Sequence, residues 1–297
     1  MKKIRFAFFL YSLAVSFAIL PSALLAQNIA APTEIANPAP ISGAMQEYFF
    51  GEIRKWNNGL SGNQASGIPF EAAAAFNNIE FQKIRAQLRQ AGTKAWPLVP
   101  RVADLFSQNT PNAYDLAWIM TEMTPVQSSQ PSAIAAQIAA YQRGATADER
   151  YGSIVRLGKT PDPTALAALI PIAQNPDTKL RLLALIAMGF AGKSNGPLAA
   201  GVLGKGLRDT DKINRGVAMN ALRLLGPQDA LYAVEDIIIF FKTKENVYQS
   251  SGVLRSFPVA YLKPLKLDFE TILADPKLTA FQKESVVEIL LKIENAQ

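Results

Sequence analysis

DTKLRLLALIAM at residues 177–188 and DKINRGVAMNAL at residues 211–222 are the two stretches that decide the fold. The second begins 34 residues after the first (211 − 177), and Asp, Arg, Ala and Ala recur in both at the same offsets. Apolar residues recur three and four positions apart, which is the period of an amphipathic helix. The recurrence predicts a two-helix unit that buries its apolar face by stacking on its neighbours.

The recurring residues have definable structural roles. Asp177 and Asp211 are each predicted to cap the first turn of a helix, where a carboxylate accepts hydrogen bonds from unpaired backbone N–H groups. Arg181 and Arg215 follow four residues later, within reach of the same aspartate or of one in a neighbouring unit. The small alanines are predicted to let another helix approach closely.

Weaker copies of the pattern flank these two units. Glu245 begins one copy, Asp275 opens a final one, and Asp148 opens an earlier one. Prolines stand where helices are predicted to begin, because proline loses no hydrogen bond in the first turn. Glycines stand at the opposite ends, where a left-handed residue caps a helix. The prolines are Pro111, Pro131, Pro163, Pro197 and Pro227, and the glycines are Gly144, Gly158, Gly192 and Gly226.

The pattern D-x-x-x-R-x-x-A-x-x-A-[LM] resembles the second helix of the HEAT repeat, in the armadillo-like family. The resemblance is good at 162–192 and 196–226, weaker at 228–257 and 266–293, and marginal around 132–158. It implies an all-α fold, a solenoid of HEAT-like helical hairpins, preceded in this chain by a helical N-terminal extension. It also implies that the concave side binds another protein, although the motif specifies architecture far better than function.

The first residues have the layout of a secretory signal peptide. Three cations precede an uncharged apolar run, Phe6–Leu20, and small residues follow at Ala23 and Ala26. We therefore expect residues 1–26 to be removed by cleavage after about Ala26, which places the mature chain in the periplasm or outside a bacterial cell. The alternative is an uncut anchor that keeps the chain at the membrane, because Phe6–Ala26 is just long enough to span a bilayer.

The mature chain divides into three predicted parts. Residues 27–42 contain several prolines and are predicted to form a flexible tether. Residues 43–131 are predicted to be a helical N-terminal region with a loop at 57–69, and residues 132–297 hold the repeats. Aromatic residues in a helix predicted at 45–56 either cover the first open end of the stack or dock on a partner or membrane. These are Tyr48, Phe49, Phe50 and Trp56, while Trp96, Phe106 and Trp118 are predicted to pack the core.

The composition excludes much catalytic and metal chemistry. The 297 residues include no histidine and no cysteine, so imidazole-based triads, thiolate zinc sites and disulfides are impossible. The net charge of +6 falls to +3 when Lys2, Lys3 and Arg5 leave with the signal, which gives no basis for nucleic-acid binding. GKS at 192–194 resembles a relaxed phosphate loop, but a helix instead of a strand is predicted before it. We predict no enzyme activity, cofactor, metal or nucleotide.

Positive charge is concentrated between Thr178 and Arg223. Such a stripe attracts acidic proteins, head groups or glycans. The alternative is that the arginines pair with aspartates and the remaining cations form a solvated face. We predict binding at Lys179, Arg181, Lys212 and Arg215, with the two lysines better placed because the arginines are expected to be engaged by aspartates. The cations are Lys179, Arg181, Lys193, Lys205, Arg208, Lys212, Arg215 and Arg223, against the acids Asp209 and Asp211.

The function predicted from these observations is that of an exported HEAT-like scaffold. We expect it to bind a protein partner in the cell envelope and to bind no nucleic acid. Two alternatives stay open: a structural envelope component that self-associates through the open ends of its stack, and an enzyme of unrecognised type.

Overall fold

The computed structural model consists of α-helices joined by short connections. It describes residues 39–65, 83–84, 86–88, 90–108, 113–243 and 247–296, with the side chains at 58–65, 248 and 249 not described. No β-strand occurs in these ranges, which confirms the all-α prediction. Pro38–Gln297 forms one compact unit. The predicted signal peptide at 1–26 and most of the tether at 27–42 lie outside the described residues.

The helices follow one another as α1 to α15. The N-terminal region contains α1 (Gly43–Ala65), a 3-10 helix (Gly92–Leu98), α2 (Val99–Ser107) and α3 (Ala113–Met123). The part predicted to hold the repeats begins with α4 (Pro131–Arg143), a π-helical turn (Asp148–Gly152), α5 (Ser153–Gly158), α6 (Pro163–Ile172), α7 (Thr178–Ala191), α8 (Gly196–Gly206) and α9 (Lys212–Leu225). It ends with α10 (Pro227–Ala230), α11 (Val234–Lys242), α12 (Val247–Ser256), α13 (Val259–Leu262), α14 (Lys266–Leu273) and α15 (Ala280–Glu294). None of the helices so described is both long and apolar enough to cross a membrane.

The second helix of each hairpin contacts the second helix of the next. α5 contacts α7, α7 contacts α9, α9 contacts α12, and α12 contacts α15. Each of these helices also packs on the first helix of its own hairpin, as α6 does on α7 and α8 does on α9. The alanines of the motif are completely buried in these contacts, which is the burial that stacked units require. They are Ala184, Ala187, Ala218 and Ala221.

Small residues set the spacing between successive second helices. A Cβ added to Gly158 of α5 would lie 2.7 Å from the Cα and Cβ of Ala187 in α7. A Cβ added to Gly189 of α7 would lie 3.0 Å from the same atoms of Ala221 in α9. Both distances are shorter than ordinary van der Waals contact, so the backbones approach where glycine faces alanine. This confirms the role predicted for the alanines.

Asp177 and Asp211 cap their helices as the sequence predicts. Each carboxylate accepts hydrogen bonds from the backbone N–H groups two and three residues later. Both aspartates have extended backbone geometry, the usual state of a capping residue. Glu245, the start predicted for the next unit, lies outside the described residues.

Two other predicted starts differ from prediction: Asp148 is the first residue of the π-helical turn before α5 but does not cap it, and Asp275 precedes the last second helix by five residues. Asp148 caps no helix, because Thr146 and Glu149 cap this turn reciprocally: each side chain accepts a hydrogen bond from the backbone N–H of the other. Asp275 does not open the last second helix, which begins at Ala280 after the capping residue Thr279. In both places a threonine with an acid or amide three residues later outcompetes the nearby aspartate.

The glycines at helix ends divide into two groups. Gly144 and Gly226 have φ of 52° and 93°, so they occupy the positive-φ region that favours glycine. Gly192 has φ of −61° and Gly158 is likewise outside that region, so the predicted left-handed caps are wrong there. Their small size is used for packing instead, since a Cβ on Gly192 would lie 2.4 Å from Leu225.

The N-terminal region departs from prediction at its loop. The loop predicted at 57–69 is helical as far as Ala65, the last residue of α1. Phe49, Ile53 and Trp56 form one buried stripe along this helix. Burial of that stripe outweighs the weak helix propensity of the glycines and asparagines that follow it.

The aromatic residues predicted for the core are not all buried. Phe106 is fully buried and Trp118 is 7% exposed, which confirms the prediction for both. Trp96 is 38% exposed, so its assignment to the core is wrong. It lies in the 3-10 helix directly before Pro97, at the edge of the packed region. Tyr48 of α1 is also exposed, whereas its neighbour Phe49 is buried.

Candidate functional site

Helix α3 lies across the row of second helices. Near its start, the hydroxyl of Tyr114 accepts a hydrogen bond of 2.9 Å from the side-chain amide of Asn220 in α9. One turn later, Trp118 packs edge-on against Phe190 of α7, with ring centroids 5.9 Å apart. The helix also contacts α5. The second-helix surface of α7 is therefore covered by a segment of the same chain.

A lysine lies at the far end of this crossing. The Nζ of Lys159, the residue after α5, is 4.2 Å from the centre of the Phe190 ring, which is a cation–π contact. Burial lowers the pKa of Lys159, and the nearby carboxylate of Glu122 in α3 partly opposes that shift. α3 thus supplies an aromatic ring next to Phe190 and an acid next to Lys159.

Lys179, one of the predicted binding residues, is engaged inside the protein. Its Nζ donates hydrogen bonds to the carbonyl oxygens of Phe106, Ser107 and Gln108, at 3.1, 3.1 and 2.7 Å. These carbonyls are at the C-terminal end of α2, where a cation is favoured by the helix dipole. Burial lowers the pKa of Lys179, against a smaller opposing effect of Asp177. The expectation that Lys179 is uncommitted is wrong, because α2 packs where the sequence pattern did not place it.

Arg181 joins two neighbouring units. Its Nε and Nη2 donate to the carboxylate of Asp209, at 2.7 and 3.0 Å, and its Nη1 donates to the carbonyls of Asn175 and Pro176. The two charged side chains are only 14% and 7% exposed. The prediction that Arg181 reaches an aspartate of a neighbouring unit is confirmed, but the acceptor is Asp209 and not the capping residue Asp211.

Asp209 is held in its charged form by these bonds. Burial raises the pKa of its carboxyl group, but hydrogen bonds from Arg181, the Asp211 N–H and Asn214 outweigh burial and leave the pKa below its ordinary value. Asn214 is fully buried, and its side-chain amide also donates to the backbone carbonyl of Thr178, the first residue of α7. The connection before α9 is therefore fixed to the preceding unit by a buried polar network.

Arg215 repeats part of the Arg181 arrangement. Its Nη1 donates to the carbonyls of Asp209 and Thr210, which match Asn175 and Pro176 in the previous unit. It lines a cleft of about 370 Å³ between the hairpin of α8 and α9 and the one that follows it. Arg208 and Asp236 form an ion pair at the same cleft. The lining residues are Leu207, Arg208, Asp209, Arg215, Asp236, Ile239, Phe240 and Thr243.

Lys212 differs from the other three predicted binding residues. Its side chain is exposed and forms no hydrogen bond or ion pair with any residue that the structure describes. The same holds for Arg223, eleven residues further along α9 (223 − 212). Eleven residues make slightly more than three full helical turns, so both cations lie on one face. Arg223 belongs to the basic stripe predicted from the sequence, and the helix period alone could have shown that it shares a face with Lys212.

The described ranges bear on two other kinds of site, one for a metal ion and one for a phosphate group. They contain no cluster of three or more acidic side chains able to hold a metal ion. Gly192–Ser194 is a short 3-10 turn at the end of α7, so no strand precedes the GKS sequence. This is the helical context that the sequence predicts.

Comparison with known proteins gives no family assignment. No family model matches the chain, and no curated protein is significantly similar to it. The function is therefore argued from the geometry of the second helices and their charged residues.

Proposed function

We propose that the chain is a solenoid of HEAT-like hairpins that acts as a scaffold and binds a protein partner. The observation that carries the proposal is the unbroken order of contacts from α5 through α7, α9 and α12 to α15. A row of this kind presents an extended surface, and extended surfaces suit macromolecular partners better than small substrates. The charged groups support the same function, since Arg181 joins two neighbouring units and Lys179 binds the end of α2, while Lys212 stays exposed to solvent.

The test is affinity capture from the envelope fraction of the source cells. The mature chain carries a C-terminal tag, and the eluted proteins are identified by mass spectrometry. We expect one protein to be retained at a fixed stoichiometry and to be displaced by an excess of untagged chain. Retention of no displaceable protein, with the chain shown to be folded by circular dichroism, would overturn the scaffold function.

We also propose that the scaffold works outside the cytoplasm, in the periplasm or beyond it, after removal of residues 1–26. The support is the basic start and uncharged run of the sequence. N-terminal sequencing of the protein isolated from its own cells is expected to begin near Gln27. An intact Met1 on protein in the membrane fraction would contradict cleavage and favour the anchored alternative.

Self-association is a second candidate function, favoured by one feature of α15. This last helix of the row exposes Phe281, Val287 and Leu291 at 51%, 37% and 49%, with a spacing that places them on one side. If the ends of the row join, sedimentation velocity will show oligomers that Leu291→Glu converts to monomers. A monomer at every concentration would exclude this function.

A further inference from the structure

The exposed face of α9 has the features of a docking surface for a charged partner. Lys212 and Arg223 stand about 16 Å apart along the helix, given its rise per residue. Between them the surface is shallow, because Gly216 has no side chain and Asn220 is half-buried. Ile213, 47% exposed, adds an apolar contact next to Lys212. Two unpaired cations at the ends of a shallow surface match a ligand with two separated negative charges.

The equivalent face of α7 shows what kind of ligand such a surface accepts. Phe190 of α7 corresponds to Leu224 of α9, 34 residues later, and Phe190 is covered by α3. α3 is an acidic helix: it contains Asp115 and Glu122 and no cation. It brings Glu122 to a lysine and an aromatic residue to an apolar position. α3 is buried over Leu116–Thr121, and a helix that carries two acids and no cation is therefore already packed on this row within the chain.

The surface of α7 that α3 covers is continuous with the exposed face of α9. Tyr114 at the start of α3 is hydrogen bonded to Asn220, which is in the middle of the exposed face of α9. α3 begins at Ala113, next to that contact, and its residues advance from α9 towards α5. The face of α9 on the Lys212 side of Asn220 carries no such helix among the described residues.

We propose that this face of α9 binds an acidic helix of the partner protein. Carboxylates near the two ends of that helix pair with Lys212 and Arg223, and apolar residues between them contact Ile213 and Leu224. Exposed cations of this kind contribute to specificity and association rate, and apolar contacts supply the remaining affinity. The inference rests on the proposed function, because it names the surface and chemistry by which the scaffold holds its partner.

A synthetic helix tests this surface without knowledge of the natural partner. The probe is an alanine-based peptide with two glutamates at the separation of Lys212 and Arg223, a tyrosine and a leucine between them, and a fluorescent label. Its control has glutamine in place of both glutamates. Fluorescence anisotropy with the full chain is expected to show at least tenfold tighter binding of the glutamate peptide, and a binding constant that weakens as salt is added.

Charge-reversal variants then locate the binding. Lys212→Glu combined with Arg223→Glu is expected to reduce affinity for the glutamate peptide at least tenfold. Lys263→Glu combined with Lys277→Glu is the matched control, because both lysines are exposed and neither belongs to α9, and it is expected to leave the affinity within twofold. Binding that the first pair leaves unchanged, or glutamate and glutamine peptides bound equally, would overturn the proposal.

The outcome separates this inference from the proposed function. If affinity capture retains a partner with both the wild type and the Lys212→Glu/Arg223→Glu variant, the scaffold function stands and the α9 surface is wrong. If the peptide binds as expected but no partner is captured, the surface stands and the scaffold function fails. The peptide could instead displace α3 from α7, and faster proteolysis near α3 would detect this. Binding that requires this displacement would assign the site to α7 and overturn the α9 proposal.

Discussion

Helices α7 and α9 have the same sequence pattern and different surroundings. Both begin with a capping aspartate, carry an arginine four residues later and bury two alanines between units. They differ at three positions on the face that points away from their own hairpin partners. These positions carry Leu182, Ile186 and Phe190 in α7 and Gly216, Asn220 and Leu224 in α9.

The difference explains where the N-terminal region packs. The apolar face of α7 needs a cover, and α3 provides it, so that Leu182 and Ile186 are buried and Phe190 contacts Trp118. The more polar face of α9 needs none and meets α3 only at its edge, through Asn220. The positions that α7 and α9 share therefore mediate the contacts between neighbouring units. The positions at which they differ determine whether α3 packs on the helix.

Removal of the anchor of α3 is the strongest way to test this comparison. Trp118→Ala takes a large buried side chain from the contact with α7, and we expect the free energy of unfolding to fall by about 3–5 kcal/mol. Tyr114→Phe keeps the ring and removes the hydroxyl that accepts the hydrogen bond from Asn220, and it is expected to cost about 1 kcal/mol. Urea denaturation followed by circular dichroism measures both. Equal losses would show that α3 does not distinguish the two helices.

The bond between the two units is the next largest effect. Asp209→Asn leaves the guanidinium of Arg181 in a mostly buried position without its counter-charge, and we expect a loss of about 2–3 kcal/mol at neutral pH. Because the folded-state pKa of Asp209 lies below its unfolded value, this stabilisation is present above about pH 4 and is lost as the pH falls through the folded-state pKa. The wild type and the variant should therefore converge in acid. A difference that stays constant from pH 7 to pH 3 would contradict the role of the ionised carboxylate.

The glycines between second helices give a smaller and graded effect. Gly158→Ala places a Cβ 2.7 Å from Ala187, and we expect overpacking to cost about 1–3 kcal/mol. Gly189→Ala, at 3.0 Å from Ala221, should cost less. Gly201→Ala in α8 is the control, since nothing lies within 4 Å of its added Cβ, and it should stabilise by up to about 1 kcal/mol. Thermal melts of the three variants test the ranking, and the reverse order would refute backbone approach as the cause.

The two lysines predicted as binding residues are expected to give the smallest difference in stability. Lys179→Met removes the cation from the carbonyls that end α2 and is expected to cost about 1 kcal/mol. Lys212→Met is expected to change stability by less than about 0.5 kcal/mol, because its side chain is exposed and forms no hydrogen bond or ion pair with a described residue. Urea midpoints under identical conditions make the comparison. If Lys212→Met is the more destabilising, the assignment of structural and exposed roles is reversed.

Helix caps and backbone conformations were predictable from the sequence wherever a residue type has one strongly favoured role or conformation. The capping aspartates Asp177 and Asp211 were correct, and so was the positive φ of Gly144. Local rules failed at Asp148 and Asp275, where a neighbouring threonine provided a better cap. They failed because several residues near a helix start are able to cap it, and single-residue preferences differ by little.

The candidate site could be predicted only in part for a different reason. The excess of positive charge around α7 and α9 is visible in the sequence. The sequence does not show that Lys179 is engaged within the protein while Lys212 is exposed. Lys179 is engaged because the end of α2, more than seventy residues earlier in the chain, packs beside it. A contact at that sequence distance leaves no periodic signal near either residue.

The sequence by itself determined that the chain is helical, where its two clearest units begin, and that alanines mediate their contact, because helix period, capping and side-chain size act over a few residues. Only the tertiary structure decided that α3 covers α7 and leaves α9 exposed, that Arg181 bonds to Asp209 across two units, and which lysine faces solvent. Those outcomes depend on which apolar faces are buried together, and burial is a property of the whole packed chain.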